Sequence, residues 1–262
     1  DAHDIKPASI TGGSDTINAG SGNNRVIGGN DADTITSLGN DDIIFGDNGK
    51  IDYNNDTAAL LTLLETTDTA AATGGADTVN AGDGNDIVLG GADSDNLTSG
   101  AGSDIIVGDN GVVDYQNATG KLLFVKTKDF GFGGGDTTTA GDTINSGNGL
   151  KTILGGFGSD KITAGDGDHI IFGDNATVNY DAVSGTLTDI GTTDTAASTG
   201  GRDTISNGNG DNYLFGGVGN DSITTGTGSD FILGDNGTVD FDDTTFKLSL
   251  VESTDINPAS IT

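Results

Sequence analysis

The stretch Gly74–Asn110, GGADTVNAGDGNDIVLGGADSDNLTSGAGSDIIVGDN, determines the fold of the chain. Within it an aspartate recurs every nine residues, and an aliphatic residue follows two positions after each aspartate. The four pairs are Asp77 and Val79, Asp86 and Val88, Asp95 and Leu97, and Asp104 and Ile106. A three-residue strand x-U-x, where U is the aliphatic residue, buries only U because side chains alternate between the faces of a strand. Glycine forms the intervening turns without steric cost, so the pattern predicts short strands joined by tight turns.

The same nonapeptide recurs along the chain in four long repeats. We place them at 12–73, 74–138, 139–199 and 200–262, after the end of a preceding repeat at 1–11, and expect one continuous solenoid. Residues 7–11 and 258–262 both read PASIT, which indicates a segment from inside a longer array. A narrow solenoid interior requires an aliphatic residue at every U position. The U residues are Ile17, Val26, Ile35, Ile44, Val79, Val88, Leu97, Ile106, Ile144, Ile153, Ile162, Ile171, Ile205, Leu214, Ile223 and Ile232.

The aspartates of these turns indicate calcium binding. A single aspartate in a glycine-rich turn is usually an Asx turn, but so many copies in register favour a metal. Ca²⁺ takes six to eight oxygen ligands, and carboxylates beside free backbone carbonyls supply them. The form G-G-x-G-x-D-x-U-x resembles the calcium-binding nonapeptide of the RTX (repeats-in-toxin) family. The resemblance implies an all-β fold, a right-handed parallel β-roll or β-helix solenoid, with Ca²⁺ as its ligand.

Each turn reverses the chain, so two nonapeptides make one coil. A long repeat of about 62 residues then corresponds to three coils of 18 residues with about eight residues to spare, and the chain to about twelve coils. We interpret the third coil as enlarged, with a hairpin-like arm inserted once per long repeat. The apolar runs expected in these arms are Leu60–Leu64, Leu122–Val125, Leu187–Ile190 and Phe246–Val251.

Odd and even nonapeptides are expected to stack on opposite edges of the roll. The first column, at the aspartate position of the odd nonapeptides, comprises Asp15, Asp33, Asp77, Asp95, Asp142, Asp160, Asp203 and Asp221. The second column, at the same position of the even nonapeptides, comprises Asn24, Asp42, Asp86, Asp104, Lys151, His169, Asn212 and Asp230. The resemblance implies a Ca²⁺ ion between neighbouring members of a column, and roughly 8–12 ions in total.

The second column is expected to bind unevenly. A full site is expected between Asp86 and Asp104. The weaker pairs, with one carboxylate each, are Asn24/Asp42 and Asn212/Asp230. No ion is expected at Lys151/His169, where the ammonium either replaces Ca²⁺ electrostatically or reflects sequence drift. His169 is not expected to bind zinc, because a single imidazole without partner ligands makes no zinc site.

A GDNG or GDNA turn follows every fourth nonapeptide, and its phase puts its aspartate one coil beyond the preceding aspartate of the first column. We expect these aspartates to extend the calcium sites, the alternative being a capping turn without an ion. They are Asp47, Asp109, Asp174 and Asp235. The next strand is expected to bury alternate residues, namely Ile51/Tyr53, Val113/Tyr115, Val178/Tyr180 and Val239/Phe241.

The residues that flank U differ between the two kinds of strand. On odd strands they are mostly Thr, Asn and Ser, whereas on even strands most are apolar, including Phe45, Phe172 and Phe215. A long exposed apolar face would be an interaction surface. We expect the arms to fold back over it; the alternative is a partner chain. The exposure of the three phenylalanines distinguishes the two.

Composition argues against several classes of function. The 262 residues include 40 acidic and 10 basic ones, a formal net charge of −30. Nucleic acid is not expected as a partner, because no basic patch exists to neutralise phosphates. No run approaches the ~18 apolar residues of a membrane-spanning helix, so membrane insertion is not expected. The absence of cysteine excludes disulfides and thiolate metal sites.

RTX arrays occur in secreted proteases, lipases, toxins and very large adhesins. Four composite repeats end to end resemble most a spacer segment of a giant bacterial surface adhesin, exported by type I secretion and folding in extracellular Ca²⁺. Neighbouring repeats are then its partners, while self-association and a surface ligand stay open. The alternatives are a ligand-binding module, an ice-binding face on the threonine-rich odd strands, and the C-terminal secretion or folding module of a secreted RTX enzyme. The chain itself is not expected to be an enzyme, since no nucleophile–base pair stands out.

Overall fold

The computed structural model describes residues 12–54, 59–68, 74–128, 141–194, 199–242 and 244–254, and these form strands only. The strands fall into three sheets of eight. The odd nonapeptides form β1 (Thr16–Gly20), β3 (Thr34–Ser37), β7 (Thr78–Asn80), β9 (Asn96–Ser99), β13 (Thr143–Ser146), β15 (Lys161–Ala164), β19 (Thr204–Asn207) and β21 (Ser222–Thr224). The even nonapeptides form β2 (Arg25–Ile27), β4 (Ile43–Phe45), β8 (Ile87–Leu89), β10 (Asp104–Val107), β14 (Lys151–Leu154), β16 (His169–Phe172), β20 (Tyr213–Phe215) and β22 (Phe231–Leu233).

These two sheets are parallel and stack in register, one strand per coil, which confirms the all-β parallel roll. In the odd sheet Ile17 pairs with Ile35, and in the even sheet Val26 pairs with Ile44. The U residues of both sheets meet in one buried core, which runs along the roll. The period of nine therefore places one aliphatic side chain per strand inside and leaves the aspartates at the turns.

The roll contains eight coils in the described residues, so the expectation of about twelve was wrong. The last coil of one long repeat stacks directly on the first coil of the next: β3 pairs with β7, and β4 pairs with β8. The segment expected to form the third coil instead leaves the roll entirely. Each long repeat therefore contributes two coils.

The departing segments form a third, antiparallel sheet of four consecutive hairpins. Its strands are β5 (Gly49–Tyr53), β6 (Leu61–Thr66), β11 (Gly111–Tyr115), β12 (Leu122–Thr127), β17 (Ala176–Tyr180), β18 (Leu187–Thr192), β23 (Gly237–Phe241) and β24 (Leu248–Ser253). Each hairpin pairs with the next one, for example β6 with β11 and β12 with β17. The inserted arms thus join into a continuous layer.

This layer covers the apolar face of the even strands, as expected. Phe45 and Phe172 are fully buried and Phe215 is 1% exposed. They belong to a second core with Val113 and Val178 of the hairpins, and the rings of Phe172 and Phe215 stack with centroids 4.2 Å apart. The second core is built by the chain itself, without a partner.

The proposed boundaries of the long repeats stay a prediction, because three of them fall within or beside residues 69–73, 129–140 and 195–198, outside the described residues. The chain ends at 1–11 and 255–262 lie outside them as well.

Candidate metal centre

The first column forms an unbroken ladder along one edge of the roll. Each carboxylate Oδ1 accepts a hydrogen bond from the backbone N–H of the preceding aspartate in the column. The seven N–H···Oδ1 bonds are Asp15 to Asp33 at 2.7 Å, Asp33 to Asp77 at 2.7 Å, Asp77 to Asp95 at 2.8 Å, Asp95 to Asp142 at 2.7 Å, Asp142 to Asp160 at 2.6 Å, Asp160 to Asp203 at 2.8 Å and Asp203 to Asp221 at 2.9 Å. The column stays in register over all eight coils, although its members are 18 residues apart within a long repeat and 43 to 47 residues apart between repeats.

The second carboxylate oxygen of these residues is buried and lacks a hydrogen-bond partner among the described residues. The atoms concerned are Oδ2 of Asp33, Asp77, Asp95, Asp160, Asp203 and Asp221. A buried carboxylate oxygen without a donor is costly, so a whole row of them requires a compensating positive charge.

Backbone carbonyls converge on the same gaps. A methyl group built on Gly90 would collide with both Asp95 Oδ2 and the carbonyl oxygen of Gly108 in the next coil. A methyl group on Gly46 would likewise collide with Asp77 Oδ2 and the carbonyl of Gly90. Only glycine leaves room there for an ion between carboxylate and carbonyl oxygens.

The donor set fits Ca²⁺. Where the structure describes the chain, no three His, Asp or Glu side chains converge on a single metal site. Carboxylates from two coils must therefore be completed by carbonyl oxygens, which is a hard, all-oxygen environment of the kind that Ca²⁺ prefers. The first column offers seven such gaps, one per hydrogen bond of the ladder.

The electrostatics of the column favour the binding of cations. Burial, and secondarily the charge of Asp142, raises the pKa of Asp95 and Asp160 well above the usual value. Burial also raises the pKa of Asp77 and Asp203 to about 7. At neutral pH the column therefore either retains protons or requires bound cations.

The second column has the same backbone arrangement but only two gaps of this kind. The N–H of Asp42 donates to Asp86 Oδ1 at 2.9 Å, and the N–H of Asp86 donates to Asp104 Oδ1 at 3.0 Å. Oδ2 of Asp42 and of Asp86 is buried without a hydrogen-bond partner in the described structure. Burial raises the pKa of Asp86 to about 7. Asp42 and Asp86 therefore form a gap of the same kind as those in the first column. Oδ2 of Asp104 is instead bonded to Ser99 Oγ and Lys151 Nζ, so the site expected between Asp86 and Asp104 stays a prediction.

Elsewhere in the second column, side-chain nitrogen atoms donate hydrogen bonds to the turn carbonyls. Asn24 donates through Nδ2 to the carbonyl of Gly22 at 2.7 Å. Asn212 donates through Nδ2 to the carbonyl of Gly210 at 2.8 Å and to Asp230 Oδ1 at 2.7 Å. These contacts favour the weaker binding that was expected of the two Asn/Asp pairs, which stays a prediction.

Lys151 and His169 also direct nitrogen atoms at turn carbonyls. Lys151 Nζ lies 2.5 Å from Asp104 Oδ2, and both side chains are fully buried. His169 Nε2 lies 3.0 Å from the carbonyl oxygen of Gly165. Burial lowers the pKa of His169, which keeps the imidazole neutral. Lys151 thus contacts carbonyls of the preceding turn, those of Gly100 and Gly102, whereas His169 contacts one of its own turn.

The aspartates of the GDNG turns do not lie at the positions in the first column that were expected of them. The position after Asp33 is held by Asp77, whose Oδ1 accepts the N–H of Asp33. Asp47 instead accepts hydrogen bonds from the N–H of Gly75 at 3.1 Å and of Ala92 at 2.6 Å, one at each oxygen. Burial raises its pKa to about 9.

Asp174 has the same surroundings as Asp47. Its oxygens accept the N–H groups of Gly201 and Val218, and burial raises its pKa to about 10. Asp109 Oδ2 accepts the N–H of Phe157, whereas Asp235 is exposed. This geometry favours the capping alternative, and metal binding by these four aspartates stays a prediction.

The sequence reasoning missed the gaps between long repeats. They lie between Asp33 and Asp77, Asp95 and Asp142, Asp160 and Asp203, and Asp42 and Asp86. The signal that could have revealed them is the strand after each GDNG or GDNA turn, which lacks the D-x-U spacing of the nonapeptides and therefore does not continue the roll.

Comparison with known proteins finds a match to a family model. The family model described as RTX calcium-binding nonapeptide repeat (4 copies) matches residues 9–44, 65–97, 88–112, 152–176, 191–223 and 206–238, which together make up more than half of the chain. No curated protein and no solved structure matches the chain. The described residues contain no helix that could cross a membrane.

Proposed function

Because the chain belongs to the family of RTX calcium-binding nonapeptide repeats, we propose that it is a calcium-dependent spacer of a large secreted or cell-surface bacterial protein. The observation that carries the proposal is the row of buried, unpartnered Oδ2 atoms in the first column. An apolar ligand site or a catalytic cleft would not need such a row, whereas a solenoid cross-linked by cations does.

The carboxylates make folding dependent on the surrounding ions. The chain has a formal net charge of −30, and stacking the coils brings buried carboxylates of neighbouring turns together. Their repulsion raises the free-energy cost of folding, in addition to the cost of the conformational entropy that the chain loses. Bound Ca²⁺ supplies positive charge between the coils, and its binding free energy then becomes folding free energy.

The hairpin layer gives the spacer stiffness. Each hairpin pairs with the hairpin of the next long repeat, and the buried aromatic residues of the even strands lie beneath this layer. Successive repeats therefore share a hydrophobic core as well as the calcium column. A single roll of x-U-x strands, with one aliphatic residue per strand, would lack this second source of cohesion.

The biological setting follows from this ion dependence. We propose export of the unfolded chain by type I secretion and folding outside the cell, where Ca²⁺ is abundant. The repeats next in sequence are its proposed partners, within an extended adhesin. Binding of nucleic acid or insertion into a membrane forms no part of the proposal.

The test is far-UV circular dichroism at neutral pH during a Ca²⁺ titration from EDTA, with Mg²⁺ as the control. We expect a cooperative transition from coil to β structure with Ca²⁺ alone. A full β spectrum in EDTA at neutral pH, unchanged by Ca²⁺, would contradict the proposal.

A second candidate function rests on the exposed face of the odd strands. Thr16, Thr34 and Thr78 lie in adjacent register on this flat face and are exposed. Such an array could bind ice or a polar surface ligand, although exposed Lys161 interrupts it. Thermal hysteresis of the calcium-loaded chain tests the ice-binding candidate, and its absence would leave the spacer function alone.

A further inference from the structure

We propose that the ammonium group of Lys151 is a resident cation that fills one metal gap of the second column. The gap between Asp104 and Lys151 would then be closed at any Ca²⁺ concentration. This inference rests on the proposed function, because it assumes that the other carboxylate gaps bind Ca²⁺.

The contacts of the ammonium match those of a bound cation. Lys151 begins β14 and is fully buried. Its Nζ lies 2.5 Å from Asp104 Oδ2, 2.9 Å from the carbonyl oxygen of Gly100 and 3.0 Å from that of Gly102. One carboxylate and two turn carbonyls are the same types of ligand that the aspartate gaps offer.

The three contacts also satisfy the ammonium completely. A lysine ammonium has three N–H donors and no acceptor, and here three oxygen atoms receive them. A lysine that arose by drift would extend its flexible stem towards solvent. The fully buried side chain contradicts drift and indicates a built site.

The neighbouring aspartates show what the lysine changes. Asp42 and Asp86 each keep a buried Oδ2 without a hydrogen-bond partner in the described residues. Asp104 Oδ2 instead receives Lys151 Nζ and, at 2.6 Å, Ser99 Oγ. The compensating charge is thus covalently attached at the one position where a lysine follows an aspartate in the column.

The location gives this cation a role in assembly. It lies where β10 of the second long repeat pairs with β14 of the third. The junction between these repeats would therefore need fewer ions than the junction between the first and second long repeats, where the gap between Asp42 and Asp86 is open. We infer that the junction of β10 and β14 forms at a lower Ca²⁺ concentration than the junction that follows β4.

The first experiment counts calcium ions per chain by native mass spectrometry in Lys151→Asp and in the wild type. The variant restores a carboxylate pair with Asp104, so we expect one additional tightly bound Ca²⁺. The control is Lys161→Asp, which makes the same change of charge on the exposed odd-strand face and should leave the count unchanged. An unchanged count in Lys151→Asp, with a calcium-binding wild type, would overturn the inference alone. A wild type that binds no Ca²⁺ would instead contradict the proposed function.

A second measurement uses the wild type and does not depend on the folding of any variant. Hydrogen exchange is followed by mass spectrometry at a series of Ca²⁺ concentrations. We expect the amides of β10 and β14 to become protected at a several-fold lower Ca²⁺ concentration than those of β4. Simultaneous or later protection of β10 and β14 would overturn the inference.

Discussion

The two columns of the roll share one backbone but differ in what they place between the coils. In the first column every member is an aspartate, and its ladder of N–H···Oδ1 bonds runs from Asp15 to Asp221 without interruption. In the second column the same position holds three kinds of nitrogen donor as well as aspartates. Amides of Asn24 and Asn212, the imidazole of His169 and the ammonium of Lys151 all reach turn carbonyls.

The difference indicates that the turn carbonyls of this fold can be satisfied by a nitrogen donor, charged or neutral, instead of a metal. We propose that Ca²⁺ satisfies them at all seven gaps of the first column and at two gaps of the second, where Asp42 and Asp86 keep a buried oxygen without a partner in the described residues. One edge of the solenoid is then expected to depend strongly on Ca²⁺, whereas the other is expected to be held largely by its own side chains.

The largest expected effect comes from pH in the absence of Ca²⁺. Burial raises the folded-state pKa of Asp77, Asp86 and Asp203 to about 7, above the unfolded value of about 3.9. Between these values the folded state binds more protons, so stability is greatest below about pH 4 and is lost as pH rises through 7.

Circular dichroism in EDTA should accordingly show more β structure at pH 4.5 than at pH 8, and saturating Ca²⁺ should reduce the difference. Stability that increases with pH in EDTA would show that protons do not substitute for cations. Two of these three aspartates belong to the first column, so this column should dominate the effect.

The next largest effect is expected from truncation of the second core, which lies between the even strands and the hairpin layer. Phe172 is fully buried and stacks on Phe215, so Phe172→Ala should lower the free energy of unfolding in Ca²⁺ by about 3–5 kcal/mol. The number of bound ions should not change, whereas Phe172→Leu should cost less. Denaturant unfolding and native mass spectrometry check both points, and a loss of ions would mean that the columns and the second core are not independent.

A substitution within the first column should act on the ions directly. Asp95→Asn keeps the acceptor for the N–H of Asp77 but removes one charged oxygen from two gaps. We expect at least one fewer bound Ca²⁺ and a shift of the folding midpoint to higher Ca²⁺, with a cost of about 1.5–3 kcal/mol.

The matched control for Asp95→Asn is Asp83→Asn. Asp83 is exposed, and its Oδ1 accepts the N–H of Ala101, a role that asparagine retains. Isothermal titration calorimetry in Ca²⁺ should separate the two variants. Equal effects would indicate that overall charge, rather than the column, governs calcium binding.

The smallest effect is expected where the second column is converted into the first. Asn212→Asp replaces the amide that contacts Asp230 with a second carboxylate. It should add one Ca²⁺ ion and slightly lower stability in EDTA, because a hydrogen-bond donor becomes a repelling charge. If calorimetry finds no additional ion, the residue type at this position does not decide between metal and nitrogen donor.

Much of the roll could be predicted from the sequence. The period of nine places Ile17, Val26 and every later U residue on the axis, and all are found in or packed against the first core except Ile232, which is half exposed at the last coil. The polar and apolar faces were likewise readable from the residues flanking U. The apolar character of Phe45 and Phe172 correctly predicted a covering layer.

The number of coils could not be predicted, for a physical reason. Gly46 of the GDNG turn follows Gly28 at a spacing of 18 residues, which is compatible with one more coil, and spacing alone does not reveal whether the chain continues to pair in parallel. The choice is made by long-range pairing of hairpins, such as β6 with β11. The role of Lys151 could not be predicted either, because a lysine that takes the place of a metal ion and a lysine that arose by sequence drift look the same in a single sequence.

The most direct test of the account is the number of calcium ions that the folded chain retains in native mass spectrometry. The structure offers nine carboxylate gaps, seven in the first column and two in the second. We predict about nine tightly bound ions, with weaker ones appearing only at higher Ca²⁺. A folded chain that retains no ions, or only the four that the GDNG turns could hold, would contradict it.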